Sequence, residues 1–201
     1  MTAPRHVFLF SGHMIDARSR SSPRFPPDKE DLAARAIAAT LVELRAGPGD
    51  LGVTEGACGG DLLFAEAMLR RGATLELRLP FDEPTFLRES VAFAKAPSAS
   101  PDRWRQRYFE VKDHPAVRML VMPEVLGATP AGASPYERCN LWMLEDTLAM
   151  GAERLRFVCL WDGRGGDGPG GTRHMVEEVR RRGGEARWLD TTKLWPIVAG
   201  D

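Results

Sequence analysis

The sequence predicts an α/β fold: a three-layer α/β/α sandwich around a mainly parallel sheet of five to six strands. Three observations carry this. Short apolar runs alternate with longer helical patterns from end to end, as in successive βαβ units. The turns that follow three of the runs are rich in glycine and lead towards helices. The 201 residues are 43% hydrophobic but only 8% aromatic, enough for an aliphatic core in one domain spanning 1–201.

The elements follow in order. Val7-Phe8-Leu9-Phe10 reads as the first strand. Asp28 caps a helix whose Leu32, Ala36, Ile37, Leu41 and Leu44 keep a helical period until Gly47-Pro48-Gly49. Leu51 to Thr54 is the second strand, and Asp61 to Arg71 a helix apolar on most sides and therefore well buried. Leu75-Glu76-Leu77-Arg78-Leu79 alternates with period two, as a strand near the sheet edge with one face partly wet does. A short helix from Phe86 to Phe93, a loop from Ala96 to Pro101 and helical spacing of Trp104, Tyr108 and Val111 lead to a strand at Val117 to Met122. Ser134-Pro135-Tyr136-Glu137 combines a cap, a first-turn proline and a capping glutamate, and starts a helix running to about Met150. Leu155 to Trp161 is the fifth strand, Thr172 to Arg182 the last helix and Ala186 to Leu189 a closing strand. The expected arrangement is Rossmann-like.

Charge and composition exclude several functions. Lysine plus arginine, at 27, balances aspartate plus glutamate, at 28, so no global field gathers nucleic acid or an anionic membrane. Arg180-Arg181-Arg182 is a basic run at a helix end, where cations suit the helix dipole. Cys58, Cys139 and Cys159 form an odd set with no paired spacing, which suits reduced thiols in a cytoplasmic protein. No signal-peptide-like segment or membrane-span-length apolar run is read. With no H-x-x-x-H, cysteine pair or carboxylate ladder, no metal site and no cofactor are expected.

Function is expected at the carboxyl edge of the sheet, where all strand-to-helix loops emerge. After the first strand, Ser11-Gly12-His13 allows a tight turn, and Asp16 and Arg18 follow in a Ser- and Pro-rich stretch that suits a flap or a binding element. After the second strand come Gly56, Cys58, Gly59, Gly60 and Asp61. Glycines at a helix start let backbone amides approach an anion, although tight packing is the alternative, and Asp61 either caps the helix or accepts from a ribose hydroxyl. The third loop runs from Asp162 to Gly168-Pro169-Gly170-Gly171-Thr172 and into Arg173, a helix start aimed at one spot, against a flexible loop with Thr172 as an ordinary cap. Glu177 and Glu178 follow within the helix, and at most one of them faces the site. Asn140 is placed to read a base or ribose edge, with capping and packing as its alternative. Cys58 and His13 lie close enough for a thiolate pair to be considered, and Cys159 is core.

The paired elements Gly56-Ala57-Cys58-Gly59-Gly60 and Pro169-Gly170-Gly171-Thr172 with Glu177-Glu178 resemble the superfamily of the lysine-decarboxylase-like LOG proteins and the DNA-processing protein A Rossmann domains. The resemblance covers most of the chain in order. It implies a domain that binds nucleotides or nucleotide-derived signals through these loops. In LOG enzymes a Pro-Gly-Gly-x-Gly-Thr-x-x-Glu motif serves N-glycosidic hydrolysis of a nucleoside monophosphate. Here the residue and glycine before Thr172 are absent, and the glutamates stand five and six residues past it. Three functions therefore remain open. The first is a binding or sensing domain for a nucleotide or nucleotide-derived small molecule. The second is a nucleoside 5'-monophosphate N-glycosidase using Glu177 or Glu178, with Arg173 or Arg164 on phosphate. The third is a non-catalytic interaction domain. The resemblance and the surplus of tryptophan also point to a homodimer.

Overall fold

The computed structural model describes residues 3–17, 20–92, 101–165 and 170–196. Its strands are β1 Val7–Gly12, β2 Leu51–Thr54, β3 Thr74–Leu79, β4 Val117–Val121, β5 Leu155–Trp161 and β6 Ala186–Asp190. The helices are α1 Glu30–Glu43, α2 Gly60–Arg70, α3 Glu83–Phe86, α4 Pro101–Lys112, α5 Met122–Leu126, α6 Pro135–Ala149, α7 Thr172–Arg181 and α8 Thr191–Leu194. A wide π-turn, Leu87–Val91, continues α3.

All six strands are parallel, in the order β4-β3-β2-β1-β5-β6. The chain steps outward from β1 to β4 and then returns to the other side of β1. The strand order thus reverses between β1 and β5, where Gly12 pairs with Leu160. A crevice opens at the carboxyl ends of two such strands because their following helices leave on opposite faces.

Strand alternation divides the core into two layers. Phe8, Phe10, Leu75, Leu77, Val158 and Leu160 pack with Ile37 of α1, Phe64 of α2 and Trp104 of α4. Val7, Leu9, Val53, Phe157 and Cys159 pack on the other face with Trp142 of α6 and Met175 and Val179 of α7. The six-stranded parallel sheet with helices on both faces is the expected Rossmann-like sandwich. No helix among the described residues is long and apolar enough to cross a membrane.

Several elements differ from expectation. The polar face of β3 is not wet. Arg78 is 2% exposed, donates to Glu76 Oε2 from Nη2 at 2.7 Å and to Asp146 Oδ2 of α6 at 2.6 Å, and lies 4.7 Å over the Trp142 ring. The alternation reports a covered ion pair rather than solvent. Asp28 does not cap α1. It sits in a 3-10 turn, Pro27–Lys29, and pairs with Lys29 at 2.7 Å. The fourth strand stops at Val121, since Pro123 starts α5 in its first turn. Ser134 does cap α6, accepting from the Glu137 N–H at 3.3 Å. Of the five tryptophans, Trp104, Trp142, Trp161 and Trp195 are buried and Trp188 is exposed. Arg18, the end of the short helix at Phe93, the loop at 96–100, and Gly168 and Pro169 lie outside the described residues.

Candidate functional site

A cavity of about 920 Å³ opens at the carboxyl edge, at the β1–β5 reversal. Its size suits a ligand of nucleotide dimensions, since small-molecule sites run roughly 300–1,000 Å³. Three walls meet there: the loop after β1, the start of α7, and the start of α6 with the π-turn after α3.

The loop after β1 is locked to the loop after β2. Gly60 N–H donates to His13 O at 3.0 Å, Ile15 N–H to Cys58 O at 3.3 Å, and Met14 bridges Gly59. Gly59 takes φ +97°, and a β-carbon on it would stand 2.6 Å from Ile15 N. This glycine makes room for the protein's own backbone. The amides of the second loop are taken as well. Gly56 and Ala57 donate to Asp61 Oδ2 at 3.2 and 3.4 Å, and Cys58 donates to Ser90 O at 2.8 Å. Gly56, Cys58, Gly59 and Gly60 do not line the cavity, so the expected phosphate cradle is not formed at this loop. Ala57 and Asp61 do line it. The Cys58–His13 thiolate pair also falls, because burial pushes the Cys58 thiol up to about 12.

The start of α7 is different. Gly170, Gly171, Thr172 and Arg173 all line the cavity, and no side chain among the described residues caps the helix, whose cap position is Gly171. Thr172 is the first helical residue rather than the cap, and its Oγ1 lies 3.3 Å from Ser11 Oγ across the crevice. Two hydroxyls thus meet beside uncapped first-turn amides, where the helix dipole favours an anion. Gly170 itself serves packing: it has φ +84°, and a β-carbon there would stand 2.4 Å from Tyr136 Cβ. Asn140 lines the cavity and ties α6 to this turn by donating from Nδ2 to Gly170 O at 2.6 Å.

His13 lines the cavity and is braced from behind by Asp162, whose Oδ1 lies 3.2 Å from His13 Nε2. Burial would raise Asp162, but the hydrogen bond from His13 and nearby positive charge pull it to about 2. Asp162 orients this wall without lining the cavity. The segment expected as a flap or binding element contributes Arg20 and Arg24. Arg20 reaches Asp16 at 3.3 Å, and Arg24 reaches Asp162 at 3.7 Å.

Glu177 and Glu178 are not brought to the cavity. Glu177 is exposed and pairs with Arg173 at 2.7 Å, while Glu178 is buried against Arg181 and Arg182. Glu177 follows Arg173 by one turn on the same face and so stands about 6 Å further from the crevice along α7, while Glu178 points elsewhere around the helix.

The acidic residues that line the cavity are Asp16, Glu55, Asp61, Glu89 and Glu137, and of these Glu55 and Asp61 are the ones set just after β2 and at the start of α2. Glu55 is the first residue after β2. Burial, and then the nearby Asp61 charge, hold it well above the usual carboxylate range. Burial likewise lifts Asp61 to about 6, against its hydrogen bonds from the loop amides. Sequence reasoning assigned Glu55 no role, nor did it find Ser90 and Tyr136, whose hydroxyls meet at 3.1 Å on the opposite wall.

Asp61 sets a pH dependence. Its folded value of about 6 exceeds its ordinary 3.8, so the unfolded chain loses this proton first as pH rises. The stabilisation is fully present below about pH 4 and is lost as pH climbs through about 6, to the extent of about 3 kcal/mol. Asp162 acts oppositely, but only as pH falls below 4 towards about 2. Urea unfolding is therefore expected to show a more stable protein at pH 4.5 than at pH 7. Asp61→Asn reduces that slope, the remainder belonging to Glu55, which burial lifts in the same direction; an unchanged slope contradicts the assignment.

A scan against protein-family models finds no match, and no curated protein matches the sequence.

Proposed function

We propose that the chain is a recognition domain for a nucleotide or a nucleotide-derived small molecule, with the ligand's phosphate received at the start of α7. One observation carries this reading: the uncapped α7 N-terminus and the Ser11–Thr172 hydroxyl pair share a nucleotide-sized cavity at the strand-order reversal. Ligands of open parallel sheets bind at such a crevice, and a helix start there favours phosphate. The resemblance to LOG and DNA-processing protein A domains agrees with this. Of its two glycine loops, the α7 start is the one with open amides. A second reading, an N-glycosidase, is favoured by the raised carboxyls Glu55 and Asp61 in the cavity wall, and its acid would come from one of them rather than α7.

Calorimetric titration with nucleoside mono-, di- and triphosphates and with ribose 5-phosphate tests the proposal, with base release followed chromatographically. Binding without release supports recognition; release supports the hydrolase. Thr172→Ala is expected to weaken binding roughly ten- to hundredfold, since a hydrogen bond to a charged group contributes roughly 1.5–3 kcal/mol. If no nucleotide and no ribose 5-phosphate binds, the proposal fails.

A further inference from the structure

Two guanidiniums converge on the phosphate wall of the cavity. Arg173 stands in the first turn of α7, where the helix dipole disfavours a cation and no acidic residue of that turn offsets it. Glu177, which pairs with it, lies one turn further on, the weaker order for an ion pair along a helix. Both side chains are more than half exposed, so the pair contributes little. Arg24 reaches the same place from the segment after β1. Its Nη2 donates to Gly165 O at 2.7 Å, and a β-carbon on Gly165 would stand 3.6 Å from Arg173 Nη1. The two side chains therefore flank one residue, and both arginines line the cavity. Asp162 faces Arg24 at 3.7 Å, while its Oδ1 serves His13 and the Arg164 N–H. The backbone under Arg24 is fixed in advance: Asp16 Oδ2 accepts from the Arg24 and Phe25 N–H groups, each at 2.8 Å.

We propose that the cavity takes a ligand bearing a pyrophosphate group, with one phosphoryl at the α7 start beside Ser11 and Thr172 and the next between Arg24 and Arg173. Like charges brought to one place repel, and an anion set between them turns that cost into attraction. Arginine suits the task, because its planar fork gives two parallel N–H donors to the oxygens of a phosphate. A monophosphate at the α7 amides occupies only the first position. The inference rests on the nucleotide reading and narrows it from a phosphate to a diphosphate, whether terminal or bridging two sugars. It also gives the segment after β1 a task, since Arg24 joins that segment to the loop before α7 at Gly165.

The test is calorimetry with the 5'-mono- and 5'-diphosphates of adenosine, guanosine, cytidine and uridine, with ribose 5-phosphate as the base-free control. For the nucleoside that binds most tightly, the diphosphate is expected to exceed the monophosphate about tenfold or more. Arg24→Gln and Arg173→Gln each remove one charged donor and are expected to bring that ratio below about threefold. A merely structural role would weaken both ligands together and leave the ratio intact. Equal binding of diphosphate and monophosphate overturns the assignment, and so does a ratio that survives in either variant. In both cases persisting monophosphate or ribose 5-phosphate binding shows that the nucleotide reading stands. The corresponding nucleoside diphosphate ribose separates the two sources: bound more tightly than the plain diphosphate, it marks a bridging pyrophosphate, and bound more weakly, a terminal one. Silence from every probe overturns both proposals.

Discussion

Gly59→Val is expected to destabilise the fold by about 3–5 kcal/mol, at the upper end of single-substitution effects. Two costs add at this position. Gly59 takes φ +97° and ψ −127°, a conformation close to the glycine-only region that costs an L-residue roughly 1–3 kcal/mol. Its β-carbon would also lie 2.6 Å from Ile15 N and 2.8 Å from His13 O, both backbone atoms that cannot swing aside. Gly49→Val separates the two, because Gly49 has φ +84° with nothing within 4 Å of a β-carbon. Urea unfolding of both variants should show a loss of about 1–2 kcal/mol for Gly49→Val and a clearly larger one for Gly59→Val. Equal losses would mean that the contact with the β1 loop is dispensable. The contact also has a functional side. It holds His13 and Met14 over α2, and both residues line the cavity.

Gly59 also shows why the fold was more legible in the sequence than the site. β5 follows directly from an apolar run, since a strand buried on both faces reads as a nearly continuous hydrophobic segment, while β2 reads more weakly because Gly52 interrupts it. The α6 start follows from Ser134, Pro135 and Glu137, whose chemistry is local. A glycine-rich turn is ambiguous in a way those signals are not. Gly59 and Gly170 make room for protein backbone, and nothing in the letters distinguishes that from room for a phosphate. The position of Thr172 at a helix start was legible, but its meeting with Ser11 joins residues 161 positions apart and depends on β1 and β5 being neighbours. Glu55 was hidden for a related reason. An acid just after a strand looks solvated until α6 is known to pack over it. The available signal was its position: an acid directly following a fully buried strand at the ligand-binding edge. Direction around the helix allowed one of Glu177 and Glu178 to face the site, but Glu177, one turn past Arg173 on its face, is too far along α7 to reach it and is held by Arg173 instead.

Arg78→Met is expected to cost about 3–5 kcal/mol, although methionine fills similar volume and suits a buried strand. The loss comes from what is left behind. Glu76 keeps only 13% side-chain exposure and would hold a buried charge with its guanidinium partner gone. Asp146, at 45%, can rehydrate and contributes less. The stacking of Arg78 over Trp142 at 4.7 Å is lost as well. If this account is right, the pair is costly to break but not to replace, and Glu76→Leu with Arg78→Met should recover most of the loss. A double-mutant cycle reads this directly, with a coupling of roughly 1–3 kcal/mol expected between the two positions. Additive losses would show that Arg78 acts through packing alone. The Arg78–Asp146 pair anchors α6 to the sheet, and α6 carries Tyr136 and Asn140 into the cavity wall. Arg78→Met should therefore weaken ligand binding only to the extent that it lets α6 shift. The double substitution, which restores packing without charge, should restore binding together with stability.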